Sequence, residues 1–238
     1  TTGFLLPAGM DDVISIAAVD LDGDGLPELV FNGVWTVGVW PNLGGFRFGP
    51  PRVVHTIDPG PKVYISMVAF GDADADGLLD AYVATTGIPL IASNPDNLSG
   101  VPDWLLPGRG DGTFGAGREL RVGSAGSSSL VAAFVDLDGD GAAEILVAAD
   151  GNDAPKTALW RRDPSAAGTP GEWRDDAQAV DLALRFSAMG IDSADLNGDG
   201  RPDYCLTDIG APVCLLSDGD DGFVEGSAAL GLHDSVSS

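Results

Sequence analysis

Four near-copies of one acidic nonapeptide constrain this chain more than any other feature. They read "DLDGDGLPE" from Asp20, "DADADGLLD" from Asp72, "DLDGDGAAE" from Asp136 and "DLNGDGRPD" from Asp195. Their separations of 52, 64 and 59 residues mark a period near that of a small β-sheet module. A short apolar run precedes each copy ("VISIAAV", "VYISMVAF", "SLVAAFV", "FSAMGIDSA") and another follows it ("ELVFNG", "DAYVAT", "EILVAAD", "DYCLTD"). All are of strand length, rich in β-branched, alanine or aromatic residues and bounded by turn signals, so each acidic loop joins two strands.

A third run ("VGVWPN", "DWLLPG", "TALWRRD", "PVCLLSD") and a fourth ("FRFGPPRVV", "TFGAGREL", "EWRDDAQAV", "GFVEGSAAL") complete each unit. Turn sequences such as "NLGG", "GRGDG" and "SDGDDG" lie between them, where Gly and Asp supply the positive φ of tight hairpins. Each unit is then a four-stranded antiparallel meander. Repetition at this period predicts an all-β fold, a β-propeller, rather than a two-sheet sandwich, which would not repeat one loop four times. The reading is a single domain over 1–238 with repeats near 8–55, 56–122, 123–181 and 182–232. It forms a four-bladed ring or an arc of a larger one. The apolar first run of each unit is expected to be an inner strand buried on both faces. "TTGFLLPAGM" resembles the fourth run of a unit and is expected to add an outer strand.

Acids at positions 1, 3, 5 and 9 of a loop surround a hard cation with oxygen, and Ca²⁺ accepts six to eight such ligands in irregular geometry. The spacing predicts Asp20, Asp22, Asp24 and Glu28 with the Leu26 carbonyl in the first loop, and Asp72, Asp74, Asp76 and Asp80 with Leu78 in the second. It predicts Asp136, Asp138, Asp140 and Glu144 with Ala142 in the third, and Asp195, Asn197, Asp199 and Asp203 with Arg201 in the fourth. Glycine at position 6 provides the sharp turn. About four Ca²⁺, one per repeat, would balance carboxylates that otherwise repel. Mg²⁺ demands a stricter octahedron, and zinc favours His and Cys ligands that these loops lack. An EF-hand needs Glu at position 12, where this chain has Phe31, Val83, Val147 and Leu206.

Strand, "D-x-[DN]-x-D-G-x-x-[DE]" and strand together resemble the FG-GAP and VCBS-type repeats, including those of integrin α-subunit propellers. The stretch from Ser193 to Leu232 is similar to repeats of the cartilage acidic protein family, in which a "GDGTF" turn leads into an outer strand; that turn stands here at Gly110 to Phe114. A literal "FG" precedes the loop at Phe70-Gly71. The resemblance covers essentially the whole chain. It implies structural calcium and an extracytoplasmic adhesive or scaffolding module, extracellular, surface-exposed or periplasmic.

Charge narrows the partners. With 36 acidic against 12 basic residues the net charge is −24, and no basic stripe exists to meet nucleic acid or an anionic membrane. No apolar run approaches the length of a membrane span. Beginning at Thr1, the chain reads as a processed protein or an excised domain, and association into an oligomer or a longer chain stays open. Cys205 and Cys214 flank a turn, and either a hairpin disulfide or two buried thiols fits.

Partners are expected to be protein or glycan, met on a loop face. Five tryptophans could stack on sugars, but Trp40, Trp104 and Trp160 recur in the third run, which points to inter-blade packing. "RGD" at Arg109 to Asp111 reads as hairpin chemistry. No catalytic constellation surrounds His55 or His233, the only histidines, so no enzyme activity is expected. A lectin, or less readily a metal-assisted hydrolase or lyase, are the alternatives.

Overall fold

The computed structural model describes residues 12–58, 63–87, 102–122, 128–137, 140–150, 157–169, 172–180, 182–183, 189–207, 212–219 and 222–232. The expected strand at the N-terminus, Asp138, His233 and the turn between the cysteines lie outside these residues.

Each unit folds as the turn signals dictate. Blade 1 contains β1 (Val13–Val19), β2 (Glu28–Gly33), β3 (Thr36–Trp40) and β4 (Arg52–Thr56), and blade 2 contains β5 (Val63–Gly71), β6 (Asp80–Gly87), β7 (Asp103–Leu106) and β8 (Arg118–Leu120). Blade 3 follows with β9 (Ser128–Val135), β10 (Glu144–Asp150), β11 (Thr157–Arg162) and β12 (Trp173–Asp175). Blade 4 has β13 (Gly190–Ala194), β14 (Asp203–Thr207), β15 (Val213–Ser217) and β16 (Phe223–Glu225). Every sheet is an antiparallel meander in sequence order. The chain is an all-β propeller of four-stranded blades. The "RGD" tripeptide occupies a hairpin turn closed by the Gly108–Phe114 bridge and by the Arg109 N–H donating to the Thr113 carbonyl at 3.1 Å.

Alternation along the second strands explains how the blades pack. In β10, Ile145, Val147 and Ala149 enter a core shared with Tyr82, Ala84 and Leu105 of blade 2. The intervening Leu146 and Ala148 enter another core, with Tyr204, Leu206 and Leu215 of blade 4. β6 divides likewise: Ala81 and Val83 face Val30, Val37 and Val39 of blade 1, while Tyr82 and Ala84 face blade 3. A strand with period-2 side chains buried on both faces must read as a continuous apolar run. At the blade 2–blade 3 contact, a Cβ added to Gly71 of the "FG" pair would lie 2.3 Å from the Phe134 ring, so that approach requires glycine.

The expectation for the inner strands is corrected here. The second strands, not the first, are the most buried elements. β5 and β9 are partly covered, whereas β1 exposes Val13, Ile14 and Ile16, and β13 exposes its last three residues.

Tryptophans serve packing, but not always between blades: Trp104 and Trp160 join inter-blade cores, whereas Trp40 packs on Phe31 within blade 1. Trp40, Trp160 and Trp173 are buried, Trp160 Nε1 donates to the Tyr82 hydroxyl of blade 2 at 3.2 Å, and Trp35 Nε1 donates to the Val63 carbonyl across the first junction at 2.7 Å. Cys205 and Cys214, directly paired on β14 and β15, form a disulfide.

Candidate functional site

All four acidic loops are held by the same three sets of hydrogen bonds. At position 1 the carboxylate accepts from the position-6 glycine N–H: Gly25 to Asp20 at 3.0 Å, Gly77 to Asp72 at 2.8 Å, Gly141 to Asp136 at 3.2 Å and Gly200 to Asp195 at 3.0 Å. Those glycines have φ between 83° and 90°, a region costly for any residue with a Cβ. At position 5 the carboxylate accepts from position 7: Leu26 to Asp24 at 2.7 Å, Leu78 to Asp76 and Ala142 to Asp140 at 2.8 Å, and Arg201 to Asp199 at 2.9 Å.

Position 9 has a second task that spacing alone does not reveal. Glu28, Asp80, Glu144 and Asp203 are all buried, and each accepts from the position-2 N–H at 2.8 to 3.0 Å, closing the loop on itself. The other oxygen reaches the third strand or its end. Gly108 N–H donates to Asp80 at 2.7 Å, Ser217 N–H to Asp203 at 2.8 Å, and Arg161 Nε to Glu144 at 3.1 Å. Removing such an acid would strand backbone donors that folding has already taken out of water.

Among the described residues, two loops bring three carboxylates together. Carboxylate oxygens of Asp20, Asp22 and Glu28 lie within 4.8 Å of one another, as do those of Asp72, Asp74 and Asp80. Position 5 stands outside both triads, its carboxylate turned to the position-7 N–H. In the fourth loop Asn197 replaces the acid at position 3, and its Nδ2 donates to Asp199 at 3.0 Å, so part of that loop's charge is satisfied internally. In the third, Asp136, Asp140 and Glu144 keep the shared bonding.

The residues fit a hard cation best in the second loop. Asp74 Oδ1 is buried with no hydrogen-bond partner. Burial pushes its carboxyl above the usual range, with Asp76 adding to the effect, and burial pushes Asp80 up to about 6 against the pull of the Gly108 and Ala73 N–H groups. Carboxylates whose charge is disfavoured by burial and by one another are the oxygen donors that a divalent ion would stabilise.

The sequence of residues 20–83 and 136–206 matches the FG-GAP-like repeat family, two segments that span more than half of the chain. This protein belongs to that family. Among solved structures, an Agrocybe aegerita lectin described as specifically recognising non-reducing terminal N-acetylglucosamine aligns with 20% identity and a TM-score of 0.54. The alignment covers 88% of this FG-GAP chain and 50% of the lectin. The Dos1 propeller aligns at 12% identity and a TM-score of 0.47, over 87% and 50%. The chain thus spans about half the length of these structures. No curated protein matches it. Among the described residues, no helix is long and apolar enough to cross a membrane.

A hub absent from the sequence reading lies between blades 2 and 3. Asp103, buried at the start of β7, accepts from Tyr82 Oη at 2.7 Å, Ser129 Oγ at 2.5 Å and Thr85 N–H at 2.7 Å. An acid heading the apolar run "DWLL" was the available signal. At the same junction, Glu172 accepts from Arg118 at 2.7 Å and Arg162 at 2.9 Å, joining the outer strand of blade 2 to blade 3.

Proposed function

We propose that this propeller is a calcium-stabilised interaction module acting outside the cytosol, with no enzymatic activity, that binds protein or glycan through its loop face. The carrying observation is the loop geometry: four loops share one hydrogen-bonded frame, and among the described residues two of them bring three carboxylate oxygens within 4.8 Å of one another. Calcium supplies the charge these carboxylates lack, and each site saturated a hundredfold above its Kd would stabilise the fold by about 2.7 kcal/mol.

The setting agrees with this chemistry. FG-GAP repeats are typical of extracellular or surface proteins, the Cys205–Cys214 disulfide suits an oxidising compartment, and sites of ordinary affinity would stay empty in cytosol. Adhesion or scaffolding follows as the role. A glycan partner is favoured by a cavity beside the second loop, and a lectin among the structural neighbours uses the same fold for that purpose.

Calorimetric titration of chelator-stripped protein with Ca²⁺, with melting followed in parallel, tests the reading. Binding of about four ions with a marked rise in Tm is expected, the fourth loop being weakest because of Asn197. An unchanged Tm at saturating calcium would overturn the structural role.

A further inference from the structure

The second loop borders a cavity lined by charged side chains from two blades. A cavity of about 160 Å³ opens between blades 2 and 3, and Asp74 and Asp80, two of the three converging acids, line it. Arg118, Arg162 and Glu172 form another part of its wall, with Leu105, Pro107 and Trp173 supplying apolar surface.

The polar wall is fixed in advance. Glu172 is held by both guanidinium groups and by the Gly168 N–H at 2.9 Å. Arg118 also donates to the Thr169 carbonyl at 2.8 Å, and Arg162 to the Asp74 carbonyl at 3.3 Å. Groups ordered before binding need not be ordered by the ligand.

Size and chemistry select the ligand. The cavity is partly open and its lining mixes polar and apolar groups; at about 160 Å³ it has room for roughly one six-membered ring rather than a chain. Arg118 and Arg162 against Glu172 leave one positive charge, and a Ca²⁺ against Asp72, Asp74 and Asp80 would leave one negative charge, so the whole suits a neutral ligand. Alternating donors, acceptors and apolar surface match a ring that carries hydroxyls on its edge and C–H groups on its face. Calcium accepts neutral oxygen ligands as well as carboxylates, so hydroxyls can replace its waters.

We propose that the cavity between blades 2 and 3 binds a single neutral sugar ring, whose hydroxyls complete the coordination of a calcium ion held by Asp72, Asp74 and Asp80. This inference rests on the calcium reading above and deepens it by naming the ligand class and the place.

Saturation-transfer NMR on the whole chain tests it, with the methyl glycosides of glucose, galactose, mannose and N-acetylglucosamine as probes, in calcium and after chelation. At least one glycoside should bind in calcium and weaken more than tenfold without it. Ala116 lines the cavity yet is exposed, so Ala116→Trp should fill the site, abolish glycoside binding and leave the calcium stoichiometry and Tm unchanged. Arg118→Gln should weaken the same glycoside at least fivefold. Normal calcium binding with no glycoside bound, or binding undiminished in both variants, would overturn the proposal while sparing the calcium reading. Failure to bind calcium would defeat both.

Discussion

Among the described residues, blades 2 and 3 pack against a neighbour on either side, whereas blades 1 and 4 do so on one side only. In the middle blades the second strands divide their side chains between two aliphatic cores. In blade 1 the face away from blade 2 holds a small cluster of its own, with Phe31 and Trp40 rings 4.1 Å apart. Blade 4 places the Cys205–Cys214 disulfide on the corresponding face, where the Cys214 N–H donates to Ser227 Oγ at 2.8 Å. One sheet design thus serves two environments, because each repeat needs burial on both faces and takes it from whatever is adjacent. Middle blades obtain it from each other. Flanking blades obtain it locally, through an aromatic pair or a covalent cross-link.

The largest difference should appear on removing the polar hub of the middle junction. Asp103→Ala leaves the Tyr82 and Ser129 hydroxyls and the Thr85 N–H without their buried acceptor, and each stranded donor costs about 1–3 kcal/mol. A loss of about 3 kcal/mol or more is expected in denaturant unfolding. A loss below about 1 kcal/mol would show that water enters the hub and that the junction depends on its apolar contacts alone.

The same residue gives the middle junction a pH response. Burial raises the Asp103 carboxyl to about 6, while the hydrogen bonds from Ser129, Tyr82 and Thr85 oppose the rise. An unfolded aspartate titrates near 3.9. Between about pH 4 and pH 6 the folded chain therefore holds a proton that the unfolded chain has released, so this contribution to stability is lost as pH rises through that window. Asp103→Asn should flatten the dependence. Melting curves across the window in saturating calcium, wild type against variant, make the comparison, and identical slopes would rule out Asp103 as the source.

The contrast between blades also explains what was readable in advance. All sixteen strands and the four loops were legible because they recur, and recurrence carries its own alignment: "VISIAAV", "ELVFNG" and "EILVAAD" coincide with β1, β2 and β10. Position 9 was legible as an acid near a cation, but its latch to the third strand was not, since Gly108 and Ser217 donate through backbone that any sequence provides. The Arg118–Glu172–Arg162 clamp joins residues 54 apart in sequence at one contact, and no motif marks it. The inner strands were misjudged because a run of small apolar residues reads as deep burial wherever it occurs, whereas β1 and β13 leave much of theirs exposed.

A smaller effect distinguishes the second loop from its counterparts. Ala75 sits at position 4 with φ 59°, where the first and fourth loops place Gly23 at 74° and Gly198 at 80°. A left-handed alanine costs about 1–2 kcal/mol, while glycine forfeits about 0.4–1 kcal/mol through the freer unfolded chain. Ala75→Gly should therefore gain about 0.5 kcal/mol in the midpoint of urea unfolding, with the calcium stoichiometry intact. A destabilised variant would mean that the Ala75 methyl packs usefully enough to outweigh its backbone strain.

The smallest effect carries the sharpest test of the comparison. Ile16 of β1 is 57% exposed, and Ile65 of β5 occupies the equivalent inner strand of blade 2 with none of its surface exposed. Replacing Ile65 by Thr removes apolar packing and buries a hydroxyl, at a cost of about 2 kcal/mol. Ile16→Thr should change stability by no more than about 0.5 kcal/mol, as for other exposed positions. If blade 1 is one end of an arc, the two substitutions will differ by this margin in dilute solution. Equal losses at both positions would mean that something covers β1 in solution as blade 1 covers Ile65 of β5, either blade 4 closing a four-bladed ring or a second copy of the chain. Sedimentation at two protein concentrations would separate those cases, because a ring closed within one chain keeps its mass on dilution and a pair of chains does not.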